Sequence, residues 1–486
     1  MRTIALLLAL LVSGCTMAPH YKRPENAIPN TYRDVTSADA STATQAGESF
    51  GDLGWWGLFN DEELQKLIHQ GIENNYDIRI AAQRVIQAHA QITIAQAGLF
   101  PSLTANAQER KTEVFQIGST PLEPKPGLLN AARDPSAGSE SFTTGLNLAW
   151  ELDFWGRVLS ARKAARAQLL ETEAGRQAVI QSVVTGIAQA YLGLIESDLE
   201  LSIAQNTLES RKKSLRLVQA RKEHGVASKL DVDQSEALVT SAAVKIPMLE
   251  GKIAQYENQI SILIGSAPTS IPRGKSLEQQ QISFDVPAGL PSELLERRPD
   301  IRAAEQSLIA ANANIGEARA AFFPKISLTA ALGTVSPAMA GVFNGPAGTA
   351  SIAPSAAWPL FNAGKLLAGL RTAKARREEC LLTYQKTILQ ALREVSDALI
   401  AHRKAHEVRK QMESLMETWR DASRLAQLRY KGGVTSYLEV LDSERQLFEA
   451  ELNLAQSKCD ELLTVVTLYK ALGGGWKLQE ANKSVE

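Results

Sequence analysis

The sequence predicts a mainly α-helical protein with a smaller β-stranded part, built from two copies of a helix–strand–strand–helix unit. Two repeated blocks carry this prediction. Residues 77–101 return as residues 300–324 with 13 of 25 positions identical, and residues 221–236 return as residues 429–444 at an offset of 208. Each copy exceeds 200 residues, so the chain is a duplicated half-molecule and not a solenoid of short repeats.

The N-terminus has the layout of a secretory signal peptide. Arg2 supplies a positive charge, residues 4–12 are a short apolar run, and small residues precede Cys15. Such a segment is removed and takes no part in the fold. The small residues before the cysteine also resemble a bacterial lipobox, in which cleavage leaves the cysteine as a lipid-carrying N-terminus. We expect a signal peptide over 1–14 and lipidation, palmitate included, at Cys15; an ordinary signal peptide with an incidental cysteine is the alternative.

The segment after the signal peptide is predicted to be an extended, lipid-anchored strap. Residues 15–57 contain Pro19, Pro24 and Pro29 and have little apolar content, which is typical of a chain lying on another surface. By resemblance to known bacterial lipoproteins, an aspartate after the lipidated cysteine favours retention in the inner membrane. This chain has Thr16 there, so we expect the outer membrane.

Three helices are predicted in each copy. Alanine-rich helical patterns end at the Phe-Pro pairs, and each is followed later by an uninterrupted stretch of about 65 residues, roughly 100 Å of helix. Apolar residues four and three apart, such as Ile180, Val184 and Ile187, form a coiled-coil seam. Long helices of this kind are expected to form antiparallel hairpins with a returning helix. The predicted helices cover 61–98, 157–224, 229–265, 299–321, 365–431 and 437–472.

Alternating apolar and polar residues predict two strands in each copy. Leu103, Ala105 and Ala107 share one side of the first strand, as in a half-buried strand. The four strands are expected at about 102–114, 140–152, 325–335 and 348–359. The repeats then cover 58–265 and 299–472, joined by a connector over 266–298 and followed by a tail over 473–486.

Four strands in one chain cannot close a membrane barrel, since the smallest known barrels need about eight. Open sheet edges in lipid leave backbone groups unpaired, so strands in a membrane would have to come from several chains. Aromatic residues at the helix–strand junctions support that placement as an interfacial belt; its expected members are Phe100, Trp150, Trp155, Phe323 and Trp358. The alternative is a soluble protein in which these aromatics plug a domain junction. No apolar run reaches about 18 residues, so no transmembrane helix is expected.

The hairpin turns are predicted from glycine and capping signals. Gly225 and Gly433 suit the left-handed position that ends a helix. Ser228 with Asp231, and Ser436 with Glu439, have the spacing of capping boxes that start the next helix. Val226 and Val434 stand between these signals, so both turns are expected to be tight.

The composition argues against nucleic-acid binding and against an enzyme. The formal net charge is −1, which gives no bulk attraction for nucleic acid. A nucleophile elbow, phosphate loop or dinucleotide turn is missing from the sequence. His402 and His406 have ligand spacing on a helix, but a solvated face is the simpler interpretation. Cys380 and Cys459 lie in helical patterns, where buried thiols are expected. We expect no enzyme activity, no metal and no cofactor.

Together these features resemble the TolC-like outer-membrane efflux proteins, in the lipoprotein branch that serves RND-type tripartite pumps. The duplicated unit, the Phe-Pro pairs, the R-x3-G-V-x-S-x-L-[DE]-V tips and the lipobox carry the resemblance. Further matches are Trp-Trp at 55–56, Arg-Pro-Asp-Ile at 298–301 and Ala-Leu-Gly-Gly-Gly-Trp at 471–476.

The resemblance implies a homotrimer whose twelve strands form one outer-membrane β-barrel, continued by a long periplasmic α-helical barrel. A mixed section built from about 16–57, 266–298 and 473–486 would girdle it. The protein would passively export drugs, antibiotics or other toxic small molecules. A periplasmic adaptor (membrane fusion) protein and an inner-membrane transporter would deliver them, with the adaptor contacting the hairpin tips.

The resemblance also implies a gate at the second hairpin tip. In the family, aspartates at the positions of Glu439 and Asp442 line the periplasmic entrance and bind cations. Three copies of each would form a carboxylate ring of the kind that selects cations, and Tyr430 is expected to pack in the closed gate. Glu439 has a second interpretation, since it could serve only as the cap of its helix.

One rival from another functional class shares the long helices. A lipid-anchored coiled-coil scaffold would span the periplasm without conducting, but it would need neither the alternating strands nor the aromatic belt. Within the channel class the sequence leaves the cargo open, because drugs, metal ions, solvents and metabolites all leave through such tunnels.

Overall fold

The computed structural model describes residues 17–25, 28–29, 32, 60–112, 139–280, 291–344 and 348–474. The predicted signal peptide and Cys15, the tryptophan pair at 55–56 and the tail from 475 onward lie outside this part of the chain.

The chain is mainly helical, and the order helix, strand, strand, long helix, returning helix occurs twice. The long helices α3 and α8 have 67 residues each, about 100 Å of helix, and the returning helices α4 and α9 have 35 each. In chain order the elements are α1 (Glu62–Asn74), α2 (Tyr76–Ala97), β1 (Ser102–Thr112), β2 (Ser139–Leu152), α3 (Arg157–Glu223), α4 (Lys229–Leu263), α5 (Leu294–Arg297), α6 (Pro299–Ala320), β3 (Lys325–Ser336), α7 (Gly341–Asn344), β4 (Gly348–Ala357), α8 (Lys365–Lys431) and α9 (Tyr437–Ala471), with short 3-10 turns at Leu277–Gln279 and Pro291–Glu293.

The helix predicted over 61–98 is two helices, α1 and α2, because Asn75 interrupts it. The Asn75 side-chain oxygen accepts from the backbone amides of Asp77 and Ile78, at 2.8 and 3.2 Å, and so caps α2. Its amide nitrogen donates to the Leu263 carbonyl at 2.9 Å. Asn75 is buried, and a buried cap of this kind leaves the spacing of the apolar residues unchanged.

The coiled-coil seams form the helical core. Val184, Ile187 and Tyr191 of α3, and Ile388 and Val395 of α8, are all buried. One 18-residue stretch of α3 is apolar enough to cross a membrane by length and composition. The sequence has no uninterrupted apolar run of 18 residues, and this stretch reaches its hydropathy with uncharged polar residues between the apolar ones. Since 67% of that stretch is buried inside the protein, it has the character of a core helix.

The four strands form one antiparallel sheet in the order β1-β2-β3-β4. The hairpins of the two copies therefore join through β2 and β3. In the described part of the chain, β1 and β4 each pair on one side only.

The chain divides into two compact units, and each takes residues from both sequence repeats. The first unit contains the described residues within 1–22, 88–169 and 307–380, including the whole sheet. The second contains those within 23–87, 170–306 and 381–486, including both hairpin tips.

The described start of the predicted strap lies along α6. In the first unit the Asn312 side chain donates to the Pro19 carbonyl at 2.7 Å. In the second unit Arg23 makes a two-pronged ion pair with Glu305, at 2.7 and 2.5 Å. Planar pairing of this kind fixes the orientation of the two side chains as well as their separation. These contacts therefore fix the path of this segment along α6.

Candidate functional site

Both hairpins end in the same backbone turn. Gly225 and Gly433 have φ of +74° and +73°, in the left-handed region that costs other residues free energy. In each turn the amide after the glycine donates to the carbonyl five residues earlier, at 2.8 Å in the first hairpin and 3.0 Å in the second. This is the Schellman closure, and it confirms the predicted glycine turns.

The first tip carries a complete capping box. The Asp231 amide donates to the Ser228 hydroxyl oxygen at 3.1 Å, and the Ser228 amide donates to the Asp231 carboxylate at 2.8 Å. Two otherwise unpaired backbone donors at the start of α4 are thereby satisfied. The prediction for this tip is confirmed, and Asp231 is occupied by the cap.

The second tip lacks the predicted box. The Ser436 side chain makes no capping hydrogen bond. The Glu439 carboxylate instead lies 3.9 Å from Nε of Arg429. The side chain of glutamate is one methylene longer than that of Asp231, and here it extends toward the end of α8. The capping interpretation of Glu439 is therefore wrong, and its side chain is 52% exposed.

Asp442 lies one turn along α9 from Glu439, on the same face. Its side chain is also 52% exposed, and its carboxylate pairs with Arg445 at 2.9 Å. Exposed pairs of this kind contribute about 0–1 kcal/mol, so both carboxylates are only loosely held. The arginine beside each one was missed by the prediction of a purely acidic site.

Tyr430 packs between the hairpins. Its ring lies 4.4 Å under the guanidinium of Arg221 from α3 and 4.9 Å from the ring of Tyr437. It adjoins a buried apolar cluster formed by Val218, Val232, Ala426, Tyr437, Val440 and Leu441. This residue therefore joins the second hairpin to the first.

Tyr437 and Ser235 form a buried link that the sequence reasoning missed. The Ser235 hydroxyl lies 2.7 Å from the Tyr437 hydroxyl, between α4 and α9. Tyr437 is 5% exposed, and burial raises its pKa to about 12. The sequence does contain an indication of this contact, because the first copy has Lys229 at the position that corresponds to Tyr437. A change from lysine to tyrosine between two otherwise similar tips indicates different surroundings.

Both tips expose apolar side chains at matching positions. Val226 and Leu230 are 69% and 63% exposed at the first tip, and Val434 and Leu438 are 72% and 61% exposed at the second. Exposed apolar patches mark interaction surfaces.

The sheet has one apolar and one polar face. Residues paired directly across antiparallel strands point to the same face. One face carries the rows Leu103–Leu148–Ala330–Ile352 and Ala105–Leu146–Leu332–Ala350; the other carries Thr104–Asn147–Ala331–Ser351 and Asn106–Gly145–Gly333–Thr349. Leu103, Leu332 and Ile352 of the apolar rows are largely exposed, whereas Leu148 is half-buried.

The aromatic residues gather where strands meet helices. The indole N–H groups of Trp150 and Trp358 donate to carbonyls at the ends of the preceding helices, each at 3.0 Å. Trp155 stacks on Phe323 with ring centroids 4.7 Å apart. Phe100 and Trp358 are exposed. The two tryptophan contacts are related by the sequence repeat, so both copies build this junction alike.

The other polar candidates have partners within the protein. His402 lies 3.0 Å from the hydroxyl of Thr464, and His406 lies 2.6 Å from the carboxylate of Glu461. Within the described ranges there is no group of three or more histidine, cysteine or carboxylate side chains placed to hold a metal. Cys380 and Cys459 are free and buried, as predicted.

The outer membrane efflux protein family matches residues 67–266 and 290–474 of this chain. The probable efflux pump outer membrane protein TtgC of Pseudomonas putida is 37% identical over 476 residues, which cover 96% of this chain and 94% of TtgC. The cation efflux system protein CusC of Escherichia coli is 33% identical over 470 residues, which cover 96% of this chain and 97% of CusC.

A solved structure agrees with this assignment. The open state of the Neisseria gonorrhoeae MtrE outer membrane channel superposes with a TM-score of 0.81 at 32% identity, covering 95% of this chain and 99% of that one. The chain therefore belongs to the outer membrane efflux protein family, and it is an efflux channel protein, not an enzyme.

Proposed function

We propose that this chain is the exit duct of a tripartite efflux pump, working as a homotrimer. The observation that carries this proposal is the sheet of the first unit. Its apolar rows are exposed to solvent in a single chain, and its edge strands β1 and β4 pair on one side only in the described part.

Three copies of the chain would give every edge strand of this sheet a pairing partner. Edge strands of neighbouring protomers would pair into one twelve-stranded barrel, which leaves no open edge in lipid. The apolar rows containing Leu103 and Leu332 would face the lipid, and the rows containing Asn106 and Asn147 would face an aqueous lumen. Asn147 already donates to Asn106 at 2.8 Å, as polar groups inside a barrel do.

The aromatic junction supports the depth of insertion. Phe100, Trp150, Trp155, Phe323 and Trp358 would lie at the periplasmic interface of the outer membrane, where amphipathic rings favour the headgroup level. A lipid on Cys15, outside the described residues, would add a second anchor. The track of the strap along α6, held by Arg23 and Glu305, fits an N-terminus directed to that membrane.

The gate would lie at the second hairpin tip. Glu439 and Asp442 are exposed and share a helix face, so three protomers would bring six carboxylates around the entrance. Opening would move the second hairpin away from the first, as in an iris. The exposed valines and leucines of the tips would bind the periplasmic adaptor.

The proposed cargo is small toxic molecules, drugs among them, delivered by an adaptor and an RND-type inner-membrane transporter. A relative named for a cation efflux system matches at 33% identity and one named for an efflux pump at 37%. These similar sequence identities support a duct without cargo selectivity, in which the transporter selects the cargo.

Single-channel recording of purified trimers in a planar bilayer tests the proposal. The wild type should carry a small, cation-preferring current that a trivalent cation blocks from the periplasmic side. In Glu439→Gln/Asp442→Asn that block should weaken about tenfold, which corresponds to about 1.4 kcal/mol of lost binding. Asp233→Asn, an exposed carboxylate of the first tip, is the matched control and should keep the block.

Two results would contradict the proposal. Trimers that carry no current at all would favour a non-conducting scaffold across the periplasm. A cation-selective current with unchanged block in the double variant would keep the channel and exclude these carboxylates as its gate.

A further inference from the structure

Arg211 is a buried arginine at which three of the four hairpin helices meet. It belongs to α3 and is only 3% exposed. Its guanidinium donates to the Leu238 carbonyl of α4 at 2.8 Å and to the Glu444 carbonyl of α9 at 3.4 Å. It also lies 4.8 Å from the centroid of the Phe448 ring on α9. Arg211 is therefore one of the side chains through which the first hairpin holds the second.

Glu444 brings in the fourth helix. Its carboxylate accepts from the Gln427 amide of α8 at 2.9 Å and from the Ser214 hydroxyl of α3 at 3.4 Å. Arg211 and Glu444 thus connect both hairpins at a level within α3 and α9, away from the glycine turns.

The Arg211 and Glu444 charges interact electrostatically, with no direct ion pair between the two side chains among the described residues, and neither group is fully satisfied. Nε of Arg211 and Oε2 of Glu444 are buried, and neither has a hydrogen-bond partner within the described residues. Burial lowers the pKa of Arg211 and raises the pKa of Glu444. A buried polar atom without a partner costs about 1–3 kcal/mol, more when charged, so this contact stabilises the described packing of the two hairpins less than its burial suggests.

The sequence repeat shows that the pair belongs to one copy only. At the repeat offset Arg211 corresponds to Trp419, and Glu444 corresponds to Glu236. Trp419 packs beside an apolar cluster that includes Met416 and Leu454, and Glu236 is exposed. The helix seam of α3 therefore contains an arginine where that of α8 contains an aromatic ring.

We propose that Arg211 and Glu444 are gate-positioning residues that hold the second hairpin against the first and keep the closed and open arrangements close in free energy. When the second hairpin moves, the hydrogen bonds of Arg211 are lost, but water reaches both unpartnered atoms and offsets that loss. This inference rests on the gated channel proposed above. It names a contact that sets the equilibrium between the closed and open arrangements of the gate.

The pair makes a sign-specific prediction for a double-mutant cycle. Arg211→Met leaves a buried carboxylate without its counter-charge, and Glu444→Gln leaves a buried guanidinium without one. Removing one partner of a buried pair is costly, whereas replacing both is often neutral. Each single change should therefore raise the open-to-closed ratio about tenfold, and the double variant should return to the wild-type ratio or below. Glu236→Gln is the matched control and should leave the ratio unchanged.

The measurement is single-channel recording of detergent-purified trimers, with the heat resistance of each trimer followed in parallel. A purely structural role predicts that the double variant opens more, or loses its trimer more readily, than either single variant; that result overturns the proposal. Unchanged opening in both single variants, with intact trimers, overturns it as well.

Arg211→Lys is the milder variant if a single change prevents assembly. It keeps the charge but loses the planar fork of donors, and it should raise the open-to-closed ratio about threefold. A wild-type ratio in this variant also overturns the proposal. A wild-type current whose cation block depends on Glu439 and Asp442, with opening indifferent to Arg211, overturns this inference alone. No wild-type current overturns the proposed channel itself.

Discussion

The two hairpin tips share a backbone turn but are fixed in different ways. The first tip is closed by its own side chains, since Ser228 and Asp231 form a complete cap. The second tip lacks that cap and instead buries Tyr437 against the first hairpin, with the Ser235 hydroxyl bonded to it. A tip stabilised by contacts within its own hairpin keeps its conformation when the other hairpin moves. A tip stabilised by contacts with the other hairpin loses those contacts when the two separate. We therefore assign the moving part of the proposed gate to the second tip.

The largest expected effect comes from removing the Tyr437 side chain. Truncation of a buried aromatic costs about 3–5 kcal/mol, so Tyr437→Ala should loosen the second tip and lower the temperature at which the proposed trimer dissociates. Lys229→Ala changes the repeat-related residue of the first tip, which is exposed, and should cost less than about 0.5 kcal/mol. Heat-dependent dissociation on a gel compares the two.

Equal losses in Tyr437→Ala and Lys229→Ala would contradict the difference between the tips. Tyr437→Phe separates packing from hydrogen bonding, because it keeps the ring and leaves the Ser235 hydroxyl without its partner. This variant should cost about 1–2 kcal/mol.

A smaller difference is expected for the two capping serines. Ser228→Ala removes a cap hydrogen bond seen at 3.1 Å and should destabilise the start of α4 by about 1 kcal/mol. Ser436 makes no such bond, so Ser436→Ala should change stability by only a few tenths of a kcal/mol. Limited proteolysis at each tip measures the local effect. A greater loss in Ser436→Ala than in Ser228→Ala would show that the second tip is capped after all.

The smallest effect on stability is expected at Glu439. Its exposed pair with Arg429 spans 3.9 Å, a geometry that contributes about 0–1 kcal/mol at most. Glu439→Gln should leave heat resistance unchanged while weakening the cation block of the channel. A clear loss of heat resistance in this variant would return Glu439 to a structural role.

The sequence predicts the regular parts of this fold well, because their signals are periodic. The strand ends and long hairpins follow from alternation, heptad spacing and the glycine turns. Asn75 was missed because a buried cap inside an amphipathic pattern leaves the spacing intact. The failure at Glu439 has another cause: the spacing of a capping box does not determine whether a longer side chain will turn back to its own helix.

The inter-hairpin contacts were also beyond the sequence reasoning. Arg211 stands four residues before Leu215 and seven before Val218, in the phase of the coiled-coil seam. A charged residue in that phase was the signal for a buried polar contact, but one of its partners, Glu444, belongs to the other hairpin, more than 200 residues away in the chain. Only the packed structure brings them together.

Backbone hydrogen exchange at the two tips, measured on native trimers, tests the central claim most directly. The Asp231 amide is bonded to its cap, whereas Ser436 provides no such bond at the second tip. We predict that amides around Glu439 exchange about five- to tenfold faster than those around Asp231, as local opening easier by about 1–1.4 kcal/mol requires. Equal protection at the two tips, or slower exchange at the second, would contradict the claim that the second tip is the moving part of the gate.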